Sequence, residues 1–343
     1  MVMTAADDSA VDAASGSPQF LQLYQADADA IRAELAEGLA ADAPQIAFKF
    51  LYDALGSRLF DAITELPEYY LTRTESAIFS AEAESMATTL PAGAVWLDLG
   101  AGNCAKAARF FRQARVAAYL PVDISVDYLR DTLHQLQLDH PALRMLGLGM
   151  DFSSGFSVPS AAERWLTTLG LQQAPRVLFY PGSSIGNFAP AAALQLLRDM
   201  YAVCAGGGPG GGVFIGVDRV KPKVVLDPAY DDPLGVTAAF NRNLLLNVNR
   251  RLGSDFDPAG WRHRGFFNEA ESRIEMHLNA IGSQTVQWPG GRREFSDGQG
   301  IHTENSYKWT EAAFTALLES AGFRVTRHWQ DERGWFSLFW AQA

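Results

Sequence analysis

Apolar positions follow two different periods along the chain. Leu21, Tyr24, Ile31, Leu35 and Leu39 recur at helical spacing and predict a helix over 20–38. Residues 48–66 read as a second helical stretch, broken at Gly56 and stopped by Pro67, and a third helix covers 74–89. From Val95 the pattern changes. Short apolar runs at 95–99, 117–123, 143–150, 176–180 and 212–217 alternate with helical stretches at 105–114, from Ser125 and Asp127 to 140, and at 190–204. The runs close on Gly100-Ala101-Gly102, Asp123, Asp151, Ser183 and Asp218. Such alternation predicts a mostly parallel sheet with helices on both faces and a ligand site beyond the carboxyl ends of the strands. The glycine run 206–212 reads as a flexible connector.

Between Arg219 and Lys308 the alternation is lost. A helix at 240–252 and an alternating strand at 273–281 predict a separate lobe. The sheet pattern then returns. Thr310 caps a helix that Gly322 stops, and runs at 323–330 and 335–341 form a hairpin. The expected fold class is therefore α/β, a Rossmann-like, mostly parallel sheet with a second, smaller α+β lobe. Residues 74–218 with 308–343 form the sheet domain, 19–73 with 219–307 the lobe, and 1–18 an Ala/Ser/Asp-rich tail.

Composition narrows the partners. With 39 acidic against 28 basic residues the net charge is −11, which disfavours nucleic acid and anionic lipid. No apolar run approaches the roughly 20 residues of a membrane helix, and the start has no secretory pattern. Cys104 and Cys204 are too few for a disulfide framework or a zinc quartet. His263, His277 and His302 show no metal-ligand spacing, so no metal is expected. These features point to a cytoplasmic protein.

Candidate chemistry begins at Gly100-Ala101-Gly102. Glycines after a strand let the backbone approach a ligand, and an acid about 20 residues on, here Asp123, can hold both hydroxyls of a ribose. Gly100-x-Gly102-x-x-Ala105 also satisfies the dinucleotide pattern, so NAD stays open. Asp151-Phe152, ending the third strand, supplies an acid and an aromatic for an adenine. The glycine strand also starts late in the chain, which favours S-adenosylmethionine over NAD.

Longer blocks carry a resemblance. Phe50-Leu51-Tyr52-Asp53-Ala54-Leu55-Gly56-Ser57 with Leu59-Phe60-Asp61, Leu66-Pro67-Glu68-Tyr69-Tyr70-Leu71-Thr72-Arg73-Thr74-Glu75, Gly182-Ser183-Ser184-Ile185-Gly186-Asn187-Phe188, Tyr230-Asp231-Asp232 with Gly235-Val236-Thr237-Ala238-Ala239-Phe240-Asn241-Arg242-Asn243, Arg273-Ile274-Glu275-Met276 and Thr303-Glu304-Asn305-Ser306-Tyr307-Lys308 occur in order. From about Phe20 to its end the chain resembles the L-histidine Nα-methyltransferases of ergothioneine biosynthesis. The resemblance implies a class I methyltransferase domain with a lobe over the amino-acid pocket. It also implies S-adenosylmethionine as methyl donor and L-histidine as acceptor, converted to the betaine hercynine; the chain is expected to be a monomer. By the same resemblance Asn187 and Tyr230 hold the substrate carboxylate, Glu304 and Ser306 the imidazole nitrogens, and Met276 lines that pocket. Tyr52 and Tyr69 sit near the amine, while Gly100, Gly102, Lys106, Asp123, Asp151 and Phe152 meet the cofactor. The loop Gly100-Ala101-Gly102-Asn103-Cys104 departs from the family's usual Gly-Ser-Gly-Thr, and Tyr180-Pro181 is also unusual.

Two of these implied roles make chemical sense. Glu304-x-Ser306 in extended backbone puts both side chains on one face. Tyrosine faces near the amine suit a quaternary ammonium product through cation–π attraction.

Overall fold

The computed structural model describes residues 17–23, 28–124 and 126–343. The expected tail therefore lies, apart from its last two residues, outside the described ones, as do Tyr24 and Ser125. Thirteen strands are described. In chain order they are β1 (Gln19–Gln22), β2 (Val95–Leu99), β3 (Ala118–Asp123), β4 (Arg144–Gly149), β5 (Pro175–Tyr180) and β6 (Gly208–Asp218), then β7 (Trp261–Asn268), β8 (Arg273–Ala280), β9 (Gln284–Trp288), β10 (Gly291–Phe295) and β11 (Gly300–Tyr307), and finally β12 (Arg324–Gln330) and β13 (Phe336–Gln342).

Eight of them form one sheet in the order β1-β4-β3-β2-β5-β6-β13-β12. Strands β1 to β6 run parallel to their neighbours, and β13 is antiparallel to both β6 and β12. Every residue of β2 is buried. Val95, Leu97 and Leu99 enter one core and Trp96 the other, as a strand covered on both faces requires. The topology reverses between β2 and β5, which opens a crevice at their carboxyl ends. The expected fold class is present, antiparallel final hairpin included. Thr310 caps the helix Glu311–Ser320 through the Ala313 N–H, and Gly322 follows it with φ +108°.

Several expectations need correction. The helix predicted over 20–38 is two elements, β1 and a helix at Ala28–Ala40. Phe20 and Leu21 extend the open edge of β4 and bury on opposite faces, a two-residue period that the wider helical spacing masks. Phe20 packs against Gly147, where a Cβ would come within 2.7 Å of its ring. The glycine run 206–212 is no flexible connector, because β6 starts at Gly208. Its backbone approaches β13 so closely that a Cβ at Gly212 would stand 2.3 Å from the Ala341 oxygen. The helix expected over 105–114 is helical only at Ala105–Ala108 and continues as turns.

Gly56 does not break its helix either. The break falls at Tyr52-Asp53, and Asp53 caps the helix Ala54–Thr64 by accepting the Gly56 N–H at 2.7 Å. A Cβ on Gly56 would lie 1.8 Å from the Leu51 oxygen. Gly56→Ala is therefore expected to destabilise the protein by about 3 kcal/mol, read as a lowered midpoint in urea denaturation. An unchanged midpoint would show that this turn relaxes freely.

A separate apolar cluster joins residues 31–71 to residues 226–301. It packs the helix Val236–Leu252 against the antiparallel sheet β11-β8-β7. Of the residues expected in the lobe, β1 belongs instead to the large sheet.

Candidate active site

The carboxyl ends of β2, β3 and β4 open into a cleft of about 1080 Å³. Gly100 and Gly102 turn the chain there with φ +66° and +52°, values that exclude most side chains without strain. The Phe152 ring lies over Gly100, 3.9 Å from where a Cβ would be. Asp123 lines the cleft and also accepts the Gly102 N–H at 3.0 Å, tying the acid to the glycine turn. Asp151 accepts the Ser153 N–H at 2.8 Å and pairs with Lys49 at 3.2 Å. Burial would raise its pKa, but the Ser153 bonds and the Lys49 ammonium outweigh burial and hold it below the usual carboxylate range. An aromatic over a glycine turn, with two acids beside it, is a cradle suited to an adenosine.

Lys106 does not line this cleft. Its ammonium pairs at 2.6 Å with Glu75, a buried acid that needs a counter-charge and also accepts the Gly182 N–H at 2.6 Å. Lys106 thus braces the glycine turn against the loop after β5.

A second chamber of about 510 Å³ lies between the sheet ends and the lobe. Tyr69, Tyr230, Met276, Glu304 and Ser306 line it. Tyr52, Phe60, Ser184 and Asn187 line both the cleft and the chamber, so they form the junction.

Glu304 and Ser306 reach this chamber because of an irregularity in β11. Its register against β8 slips between His302 and Glu304, leaving Thr303 as an extra residue whose hydroxyl bonds the Met276 carbonyl at 3.0 Å. Without this bulge His302 and Glu304 would share a face. With it, His302 pairs with His277 on one face, while Glu304 and Ser306 oppose Met276 and Ile274 on the other.

Residues 31–343 match the family model described as histidine-specific methyltransferase, SAM-dependent. The chain belongs to this family. It is 35% identical over 315 residues to the histidine N-alpha-methyltransferase of Mycobacterium tuberculosis (strain CDC 1551 / Oshkosh), covering 90% of this chain and 94% of that one. The protein of the same name in Mycolicibacterium smegmatis is 34% identical over 318 residues, covering 91% and 94%. N-methyltransferase dtpB of Aspergillus flavus is 26% identical over 321 residues, covering 90% and 87%.

The protein is thus an S-adenosylmethionine-dependent methyltransferase, and the NAD alternative left open by the glycine motif falls. Several residues of the methyltransferase site stand in the resembling blocks without a role assigned to them there. Phe60 is one apolar residue of a helix, yet it packs edge-on against Tyr52 at 5.7 Å and Tyr69 at 6.1 Å, and so completes an aromatic wall at the junction. Thr237 lines the chamber with a buried hydroxyl that has no partner among the described residues. Lys308 lies outside the expected set and is wholly buried against Asp218 at 2.9 Å. Among the described residues no three metal-ligating side chains cluster. His263 bonds Asn241 and the Tyr230 carbonyl, while His277 and His302 bond Glu275 and Asn305. No described helix is long and apolar enough to cross a membrane.

The electrostatics centre on Glu304. One carboxylate oxygen, Oε2, is buried with no hydrogen-bond partner among the described residues. Burial pushes this carboxyl up to about 8, against the pull of Lys308. The folded chain therefore keeps a proton between pH 4.5 and 8 that the unfolded chain has released, so stability falls as pH rises through that window. Glu304→Gln removes the penalty. The variant without ligands is expected to melt roughly 5 °C higher at pH 9 and at nearly the same temperature at pH 5. A thermal melt series checks this, and a gain independent of pH would contradict the assignment.

Proposed function

We propose that the chain transfers methyl groups from S-adenosylmethionine to the α-amino group of L-histidine, ending at the trimethylated betaine hercynine, the compound that leads to ergothioneine. The supporting observation is the pair of chambers meeting at Tyr52 and Asn187, with the unpartnered Glu304 oxygen in the second. Methyl transfer is an in-line displacement, so donor and acceptor must approach from opposite sides of one junction.

In this reading Asp123 holds the ribose, Asp151 and Phe152 the adenine, and the Gly100–Gly102 backbone the rest of the donor. The donor supplies an electrophilic methyl on a sulfonium. Asn187 and Tyr230 take the substrate carboxylate, and Met276 packs on the ring. Glu304 accepts the imidazole N–H, and Ser306 bonds the other nitrogen. Tyr52, Phe60 and Tyr69 surround the amine, where aromatic faces favour a growing cationic charge by about 0.5–2 kcal/mol. Lys106 braces the site without touching the donor.

The amine must shed its proton before attack. Tyr52 does not take it: burial, with Glu304 nearby, holds its phenol well above the ordinary range, so it stays protonated. Its role is to orient. Tyr52→Phe is expected to lower kcat about tenfold while leaving the pH–rate profile in place. A displaced profile would give Tyr52 a titrating role instead.

We place the protein in the cytoplasm, which its two free, buried cysteines suit, and take it to act as a monomer, because one chain lines both chambers. Mass spectrometry after incubation with S-adenosylmethionine and L-histidine tests the reading. Three successive methyl additions are expected. Methylation of other amino acids but not of histidine would sink it in favour of another small amine.

A further inference from the structure

Lys308 follows β11 and is wholly buried. Its ammonium stands 2.9 Å from Asp218, 2.8 Å from the Tyr230 hydroxyl and 2.9 Å from the Ser306 hydroxyl. An ammonium has three N–H bonds and no lone pair, so it donates in all three directions. The two hydroxyl oxygens are 3.0 Å from each other and both residues line the acceptor chamber. Each oxygen therefore already accepts from Lys308. With no ligand, one hydroxyl donates to the other and the remaining O–H is left for the chamber. When a ligand brings two acceptors, both protons can turn to it while the ammonium holds both oxygens.

We propose that Lys308 is a positioning residue that sets the polarity of the acceptor chamber, making Tyr230 and Ser306 donors toward the substrate. This rests on the histidine reading above. The wall then presents donors to the α-carboxylate and to one ring nitrogen, and an acceptor, Glu304, to the other. A neutral imidazole matches that pattern, having one N–H and one lone pair. An imidazolium, with two N–H groups, leaves Ser306 facing a donor. A ring with no nitrogen leaves both groups unpaired, which a buried site penalises. Asp218 balances the ammonium and fixes its place. It also accepts from Lys221 at 2.5 Å and the Tyr70 hydroxyl at 2.6 Å, so it is held from three sides.

A double-mutant cycle tests this. Lys308→Met, Ser306→Ala and the pair are saturated with S-adenosylhomocysteine and titrated with L-histidine and with β-(2-thienyl)-L-alanine, whose ring offers no nitrogen. Lys308→Met is expected to weaken histidine roughly 10–100-fold. Adding Ser306→Ala to it should cost little more, and the thienyl analogue should lose less than histidine does. Because Lys308→Met leaves Asp218 with one cation fewer, the cycle is repeated in an Asp218→Asn background, where no carboxylate is stranded. Retained S-adenosylhomocysteine affinity reports an intact fold. Additive penalties, or equal losses for the two amino acids, overturn the role of Lys308 while leaving the histidine reading in place. Failure of the unaltered enzyme to bind histidine overturns that reading, and this inference with it.

Discussion

Glu304→Ala is expected to weaken L-histidine binding on the order of 10²–10³-fold, with S-adenosylhomocysteine affinity unchanged. The carboxyl lines the second chamber but not the cleft at the glycine turn, so the effect should fall on one ligand only. Its Oε2 has no partner among the described residues, and leaving a buried acceptor unmade is costly unless a ligand completes it. Imidazole N–H is such a donor. Binding it draws the carboxyl from the protonated form, favoured below about pH 8 in the ligand-free chain, to the anion. Histidine binding should therefore release a proton near neutral pH, and affinity should fall as pH drops below about 8. Calorimetry of the enzyme–S-adenosylhomocysteine complex reads both, since proton release makes the heat depend on the buffer. Glu304→Gln keeps an acceptor without the charge, so a smaller loss of about tenfold is expected. Truncation to alanine also enlarges the chamber, which should let bulkier aromatic amino acids enter. Histidine affinity unchanged in Glu304→Ala would remove this residue from ring recognition.

Much of this site could be read from the chain, for physical reasons that differ by region. Strands β2 to β5 announce themselves because both faces are buried, so their apolar runs are continuous and end abruptly at the crevice. β1 is hidden: four residues at a sheet edge owe their conformation to β4, and Leu21 happens to fall in phase with Ile31 and Leu35. The partner of Lys106 is hidden too. Glu75 lies in a helix far upstream, and only folding shows that its buried charge needs that lysine. Glu304 illustrates the opposite case. Alternation placed it correctly beside Ser306, but not for a reason the sequence displays, since the Thr303 bulge is what turns both from the His302 face into the chamber. Phe60 and Thr237 stand in resembling blocks with no role assigned there, and their places in the site appear only where the lobe meets the sheet.

Asp123→Ala should abolish most donor binding, with S-adenosylhomocysteine affinity falling roughly 10²–10³-fold. Two contributions combine. In the proposed pose the carboxylate accepts from both ribose hydroxyls, and charge-assisted bonds are about twice as strong as neutral ones. The same side chain accepts the Gly102 N–H at 3.0 Å, so its loss also frees the glycine turn that the donor must lie against. Asp123→Asn separates the two: an amide oxygen still accepts from Gly102, but its NH2 group opposes a ribose donor. If the ribose contact dominates, Asn should be nearly as poor as Ala. If the turn dominates, Asn should recover most of the affinity. Quenching of tryptophan fluorescence by S-adenosylhomocysteine follows both variants. Full affinity in Asp123→Ala would place the ribose elsewhere in the cleft, and with it the methyl group whose alignment on the junction between Tyr52 and Asn187 the proposed chemistry requires.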